Sequence, residues 1–182
     1  MGHFTIEVPC KRYVKAYIEN NCGNPANLLL WPELLREFRR CLKNKPWRRE
    51  GDKVAKYTES VTVIILHDDF YRLGWEMNTE NILNFNRFVE IRIKIMMRQY
   101  VALNHALGIP MSECIRIFQD EFGFPEHVWS FEAIKKDFTR NGKLVSFKPI
   151  KDLKIEIRKI FLANLSELGT VSPKLKKELI NG

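Results

Sequence analysis

Apolar residues recur along Thr79–Leu107 at Ile82, Phe85, Val89, Ile93, Met96, Tyr100, Leu103 and Leu107. Steps of three and four put them on one face of an α-helix. Phe88, Ile91 and Ile95 widen that face, as expected for a helix covered by more than one neighbour. Arg87, Glu90, Lys94 and Arg98 fall on the other side, and Glu90 precedes Lys94 in the order that favours an exposed pair. Asn78 or Thr79 supplies a cap at the start, and Gly108 followed by Pro110 supplies the stop. The stretch 88–95 also alternates as a strand does and is rich in β-branched side chains. The helical period persists through it without Gly or Pro, so one long helix is expected.

The rest of the chain divides around that helix. Phe4–Val8 alternates as a short strand that Pro9 ends, and Tyr13, Val14, Tyr17 and Ile18 then take helical spacing up to the turn residues 20–25. Leu28-Leu29-Leu30-Trp31 is either a small strand or the lead into a helix. Pro32 suits the first position of a helix whose buried face is Leu34, Leu35, Phe38 and Leu42, with Arg36, Arg39, Arg40 and Lys43 outward. A polar loop fills 43–56. Glu59–Leu66 is the best strand, apolar on both faces at Val61, Val63 and Ile65 and at Ile64 and Leu66, and it can pair with the first. Asp68 or Asp69 is expected to cap a short helix that Gly74 ends.

After Gly108, Cys114, Ile115, Ile117, Phe118 and Phe122 mark a second helix, broken at Gly123-Phe124-Pro125. Ser130 caps a third, with Phe131, Ile134 and Phe138 as its apolar back and Asn141-Gly142 as its stop. Leu144–Phe147 reads as a wing-like strand. Leu153, Ile157, Ile160, Phe161 and Leu165 predict a helix over 151–168, and Ser172-Pro173 opens a last short one. The fold class expected is α+β, mainly helical: a small N-terminal β element packed on helices, a long central helix leading into a trihelical helix–turn–helix-like unit, and a helical C-terminal tail. The corresponding regions are 1–76, 77–142 and 143–182, gathered in one globule.

Composition adds little to that picture. With 182 residues, 45% hydrophobic and 29% charged, the chain has the make-up of an ordinary globular protein. No apolar run approaches the roughly 20 residues a membrane helix needs, and no secretory signal is visible at the start. No C-x-x-C pair occurs among the four cysteines, so reduced thiols in a cytoplasmic protein are expected.

Charge adds more. The net charge is +8, and it is unevenly placed. Residues 77–142 carry 8 basic and 8 acidic side chains, whereas the windows 36–56 and 135–159 each carry 9 against 3. Localised surplus suits a polyanionic partner.

Three constellations follow. In the trihelical unit, 130–140 would be the recognition helix. Phe131, Ile134 and Phe138 dock it, and Glu132, Lys135, Lys136, Thr139 and Arg140 form the front, continued by Lys143. The spacing from Gly123 to Ile134 is about five residues longer than in the compact motif. In the 36–56 window, Arg39, Arg40, Lys43, Lys45, Arg48, Arg49 and Lys53 have Trp47 among them, as in loops that hold phosphates and stack a base. His67-Asp68-Asp69 sets an imidazole beside two carboxylates, but helix capping accounts for the aspartates more simply than a metal or catalytic role. Phosphate-binding glycine loops, nucleophile elbows and dinucleotide fingerprints are not found.

Several segments together resemble a family. These are Ile115-x-x-Phe118, Phe122-Gly123-Phe124 and Trp129-Ser130-Phe131-x-x-Ile134-Lys135-Lys136-Asp137, with Val8-Pro9-Cys10, Asp68-Asp69-Phe70 and Gly74-Trp75. The chain resembles small, largely uncharacterised helix–turn–helix-like proteins of bacterial phages and mobile elements. That resemblance implies a phage or mobile-element context and implies neither a reaction nor a set of site residues. The expectation is a non-enzymatic, cytoplasmic, DNA-binding regulator or accessory factor, with DNA ahead of RNA as partner, no cofactor, no metal and no membrane. The alternative is an adaptor that binds a second copy of itself or another protein.

Overall fold

The computed structural model describes residues 3–44 and 57–142. The expected strand 144–147, the helix 151–168 and the short helix after Pro173 lie outside the described residues. Within them the fold is α+β and mainly helical. Strand β1 (His3–Cys10) pairs antiparallel with β2 (Glu59–Leu66), from His3 opposite Leu66 to Cys10 opposite Glu59. Around this two-stranded sheet pack six helices: α1 (Arg12–Cys22), α2 (Pro32–Cys41), α3 (His67–Leu73), α4 (Thr79–Ala106), α5 (Met111–Glu121) and α6 (Phe131–Asn141).

β1 runs through Pro9, which the sequence suggested as its end; Pro9 lies opposite Ser60. In a two-stranded sheet every strand is an edge, and proline's missing N–H is tolerated there. Its carbonyl is not wasted, because it accepts from Asn86 Nδ2 at 2.8 Å, which ties the strand to α4. Leu28–Leu30 is a single 3-10 turn that leads through Trp31 into α2, the second of the two readings open from the sequence, with Asn27 Oδ1 accepting from Leu29 N. The strand-like contact falls just before it, where Ala26 N donates to Thr62 O and Ala26 O accepts from Ile64 N. β2 is buried at Val61, Val63 and Ile65 and half-buried at Thr62, Ile64 and Leu66, which matches its two apolar faces.

The stretch 88–95 is helical. α4 is continuous from the Asn78 cap, whose Oδ1 accepts from Asn81 N at 2.7 Å. Its buried row is Phe85, Val89, Ile93, Met97 and Val101. A strict four-residue step drifts around the helix, so the covered face ends somewhat away from the one the sequence suggested. Leu103 and Leu107 lie about half exposed, and so do Ile91 and Ile95. The supposed outer charges are the larger correction. Glu90, Lys94 and Arg98 are half-buried and face α1 and α6. Lys11 Nζ reaches Glu90 at 2.9 Å and Tyr13 Oη donates to it at 2.8 Å. Lys94 lies 4.0 Å from both Glu90 and Asp137, and Arg98 holds Asp137 through Nε at 2.8 Å and a terminal nitrogen at 3.0 Å. Signs alternate along this row, so α1 and α6 are latched to α4 by charge as well as by packing.

One cluster of buried side chains runs from Val8 on β1 through Phe38, Phe85 and Ile93 to Ile134 and Phe138 on α6. The sheet end and the three-helix end thus share a core. Among the described residues no helix is long and apolar enough to cross a membrane.

Candidate nucleic-acid interface

α4, α5 and α6 form the expected three-helix arrangement. The enlarged turn between α5 and α6, residues 122–130, is a packed plug. Phe124 and Trp129 are buried in it, and Pro125 O accepts from both Val128 N and Trp129 N. Gln119 Nε2 donates to Trp129 O at 2.8 Å, and Glu126 accepts from Phe131 N at 2.9 Å, at the start of α6. A carboxylate there meets unsatisfied N–H groups and the positive end of the helix dipole. Ser130 Oγ accepts from Ala133 N at 3.4 Å, the cap expected from the sequence.

α6 is therefore fixed at its start by Glu126 and Ser130, along its back by Ile134 and Phe138, and on its flank by Asp137 against Arg98. Glu132, Ala133, Lys135, Lys136, Thr139 and Arg140 are all exposed. Asp137, the acid of the C-terminal half, is drawn inward and is only 14% exposed. Lys135 has Glu132 of its own helix at 4.0 Å and the Phe131 ring at 5.9 Å. Glu126, the acid nearest in sequence ahead of α6, is engaged with Gln119 and Phe131 N. Lys136 and Arg140 also border a cleft of about 630 Å³ that Tyr13, Lys94, His127 and Trp129 help to line. Tyr13 stacks on Trp129 with centroids 4.9 Å apart. Burial, with Glu90 beside it, holds the Tyr13 phenol protonated well above the ordinary range.

The other basic window is only partly described. Lys45, Trp47, Arg48, Arg49 and Lys53, and Lys143 beyond α6, lie outside the described residues. Arg40 is exposed, with Nη2 2.7 Å from Glu37, and Lys43 is exposed at the end of α2. Arg39 does not face out. Its Nε donates to Asp69 at 2.7 Å, and Arg72 meets the same carboxylate at 3.1 Å. Asp69 is 4% exposed and caps nothing, since α3 begins at His67 with Leu66 as its cap residue and no side-chain cap bond. The His67-Asp68-Asp69 run thus diverges: His67 and Asp68 are exposed while Asp69 points inward. Among the described residues no three His, Cys, Asp or Glu side chains converge as a metal site would require.

Backbone bonds position the end of α2. Lys43 N donates to Glu76 O at 2.8 Å, and Lys43 O accepts from Trp75 N and Glu76 N at 3.0 and 3.1 Å. Gly74 makes this approach possible: its φ is +108°, and a Cβ there would lie 2.0 Å from the Lys43 carbonyl. Among the described residues the two basic groups remain apart. Cys41 O meets Asn81 Nδ2 near the start of α4, whereas α6 is tied to Arg98, roughly 25 Å further along at 1.5 Å per residue.

Sequence reasoning missed the aromatic side chains beside the end of α2. Phe4 and Phe70 stack at 3.9 Å, Phe70 and Trp75 at 5.2 Å, and His67 leans on Tyr71 at 4.8 Å. The only sequence signal was the density of aromatics in 67–75, which carried no periodic pattern.

No family model matches the chain, and no curated protein or solved structure matches it either.

Proposed function

We propose that this is a non-enzymatic DNA-binding protein that meets the duplex with the outer face of α6. Its role would be that of a regulator or accessory factor of a phage or mobile element, in the cytoplasm of a bacterial or infected cell. The observation that carries the reading is the division of α6 between a fixed back and an exposed basic front. Ile134, Phe138 and Asp137 hold it to the fold, while Lys135, Lys136, Thr139 and Arg140 stand in solvent. A helix that reads a major groove needs such a split, because its position is set by docking and its contacts by the opposite face.

Gel-shift or anisotropy titration against duplex DNA at stepped salt tests this. Affinity should fall steeply with salt, and Lys135→Ala and Lys136→Ala should each reduce the log–log slope by about 1. Absence of binding to any duplex or single strand at low salt overturns the proposal.

A second reading, an adaptor that self-associates or holds a partner protein, is favoured by a different observation. Ile91 and Ile95 on α4, and Leu103 and Leu107 at its end, are exposed apolar side chains with Gln99 between the two pairs, and exposed apolar surface can mark a protein contact.

A further inference from the structure

Five rings gather where β1, α3 and the turn into α4 meet. Phe70 is the centre. Phe4 stacks on it at 3.9 Å with planes 24° apart, Trp75 stacks on it at 5.2 Å with the same 24°, and Tyr71 sets its edge to it at 5.2 Å and 73°. His67 joins through Tyr71. Aromatic clusters in a core are closed by other apolar groups. Here the outer members remain in water, Tyr71 at 65% and Trp75 at 40% exposure. These rings carry a polar edge and present a flat face, which suits a wet stacking surface.

Cations adjoin two of the rings. Trp75 is bonded through its backbone to Lys43, and Gly74 lets the two segments touch. Arg72 follows Tyr71 directly, and with Arg39 it shares the buried Asp69. One carboxylate serves two guanidiniums, so both are oriented while positive charge and unused N–H donors remain for an anion. Acids are present too: Glu37 pairs with Arg40, and Asp68 is exposed 3.8 Å from His67.

We propose that Tyr71 and Trp75, with Lys43 and Arg72 beside them, form a stacking site for the bases of single-stranded DNA, separate from the duplex-facing α6. The proposal rests on the nucleic-acid reading above. A purely apolar protein partner would use the rings but not the cations; a folded duplex would use the cations but offer no free base face. An unpaired strand uses both, through stacking and phosphate contact.

The test compares a fluorescent oligo-dT with an abasic oligonucleotide of equal length, using the full chain in anisotropy titrations at low salt. Oligo-dT should bind about tenfold or more tightly than the abasic strand, because each of two stacked bases contributes about fivefold or more. Tyr71→Ala and Trp75→Ala should each weaken oligo-dT by about fivefold or more and leave the abasic strand nearly unaffected, whereas Trp75→Phe should retain most of the affinity. A thermal melt of each variant separates loss of the site from loss of the fold, and Tyr71→Ala, the more exposed position, serves where Trp75→Ala melts early. Equal binding of the two oligonucleotides, or unchanged oligo-dT affinity in a folded Tyr71→Ala protein, overturns the stacking site while duplex binding by α6 stands. Failure to bind any nucleic acid overturns both.

Discussion

Asp137→Ala puts the docking of α6 to a quantitative test. Asp137 accepts two bonds from Arg98, at 2.8 and 3.0 Å, with side-chain exposures of 14% and 26%. A hydrogen bond to a charged group contributes about 1.5–3 kcal/mol, but partial exposure screens the pair well below the buried limit. The loss should therefore be about 2 kcal/mol, above a surface pair and below a buried one. Lys94 adds to it, since without Asp137 it keeps only Glu90 at 4.0 Å. Urea unfolding followed by circular dichroism measures the loss, and for a chain of this size the melting point should fall by about 4–8 °C. A cycle with Arg98→Ala should return a coupling of about 1–2 kcal/mol. The functional consequence runs the other way. Removing a negative charge roughly 10 Å from a phosphate in water gains about 0.4 kcal/mol, so duplex affinity well below the melting point should be unchanged or up to about twofold tighter. A stability loss under about 0.5 kcal/mol with no coupling to Arg98 refutes the latch. A fall in affinity beyond about tenfold refutes the assignment of Asp137 to holding rather than contact.

Gly74→Ala should destabilise by roughly 3 kcal/mol or more, combining a left-handed backbone with a clash at the Lys43 carbonyl that no side-chain rotation relieves; a urea melt with a loss under about 1 kcal/mol would contradict that. Burial pushes the thiols of Cys22 and Cys41 up to about 11 and of Cys10 up to about 12, and raises Cys114 as well. Ellman's reagent at pH 8 should thus react slowly with the native protein and at once with all four thiols after denaturation; two or more fast thiols in the native state would refute it. The same shifts predict that stability is kept below pH 9 and falls as pH rises from there toward 11–12, because unfolded thiols ionise first. Ile91→Glu with Ile95→Glu should cost under about 1 kcal/mol in folding, since both positions already meet water. In sedimentation it should dissociate any oligomer built on those side chains, and an oligomer that persists would remove the self-association form of the adaptor reading.

Helix positions and strands were largely readable from the sequence, because local rules govern them. The cap at Asn78, the stop after Asn141, the 3.6-residue period of α4 and the alternation of β2 all arise from groups a few residues apart. The basic front of α6 was legible for the same reason: Ile134 and Phe138 on one face leave Lys135, Lys136 and Arg140 on the other.

What surrounds each face is a different matter, and only the tertiary structure decided it. Glu90, Lys94 and Arg98 have the look of a solvent row on any helical wheel; α1 and α6 turn them into an interface by bringing Lys11, Tyr13 and Asp137 against them. Ile91 and Ile95 have the look of core, yet no described element covers them. Asp69 has the look of a cap and is instead the anchor of Arg39, thirty residues away in sequence. Phe4 and Phe70 stack though the whole β1-to-β2 connection and β2 itself lie between them in sequence. Sequence patterns record which side chains share a face of their own element. Which elements then cover that face depends on long-range packing, whose partners leave no local period, and that packing set both the latch on α6 and the ring surface beside Lys43.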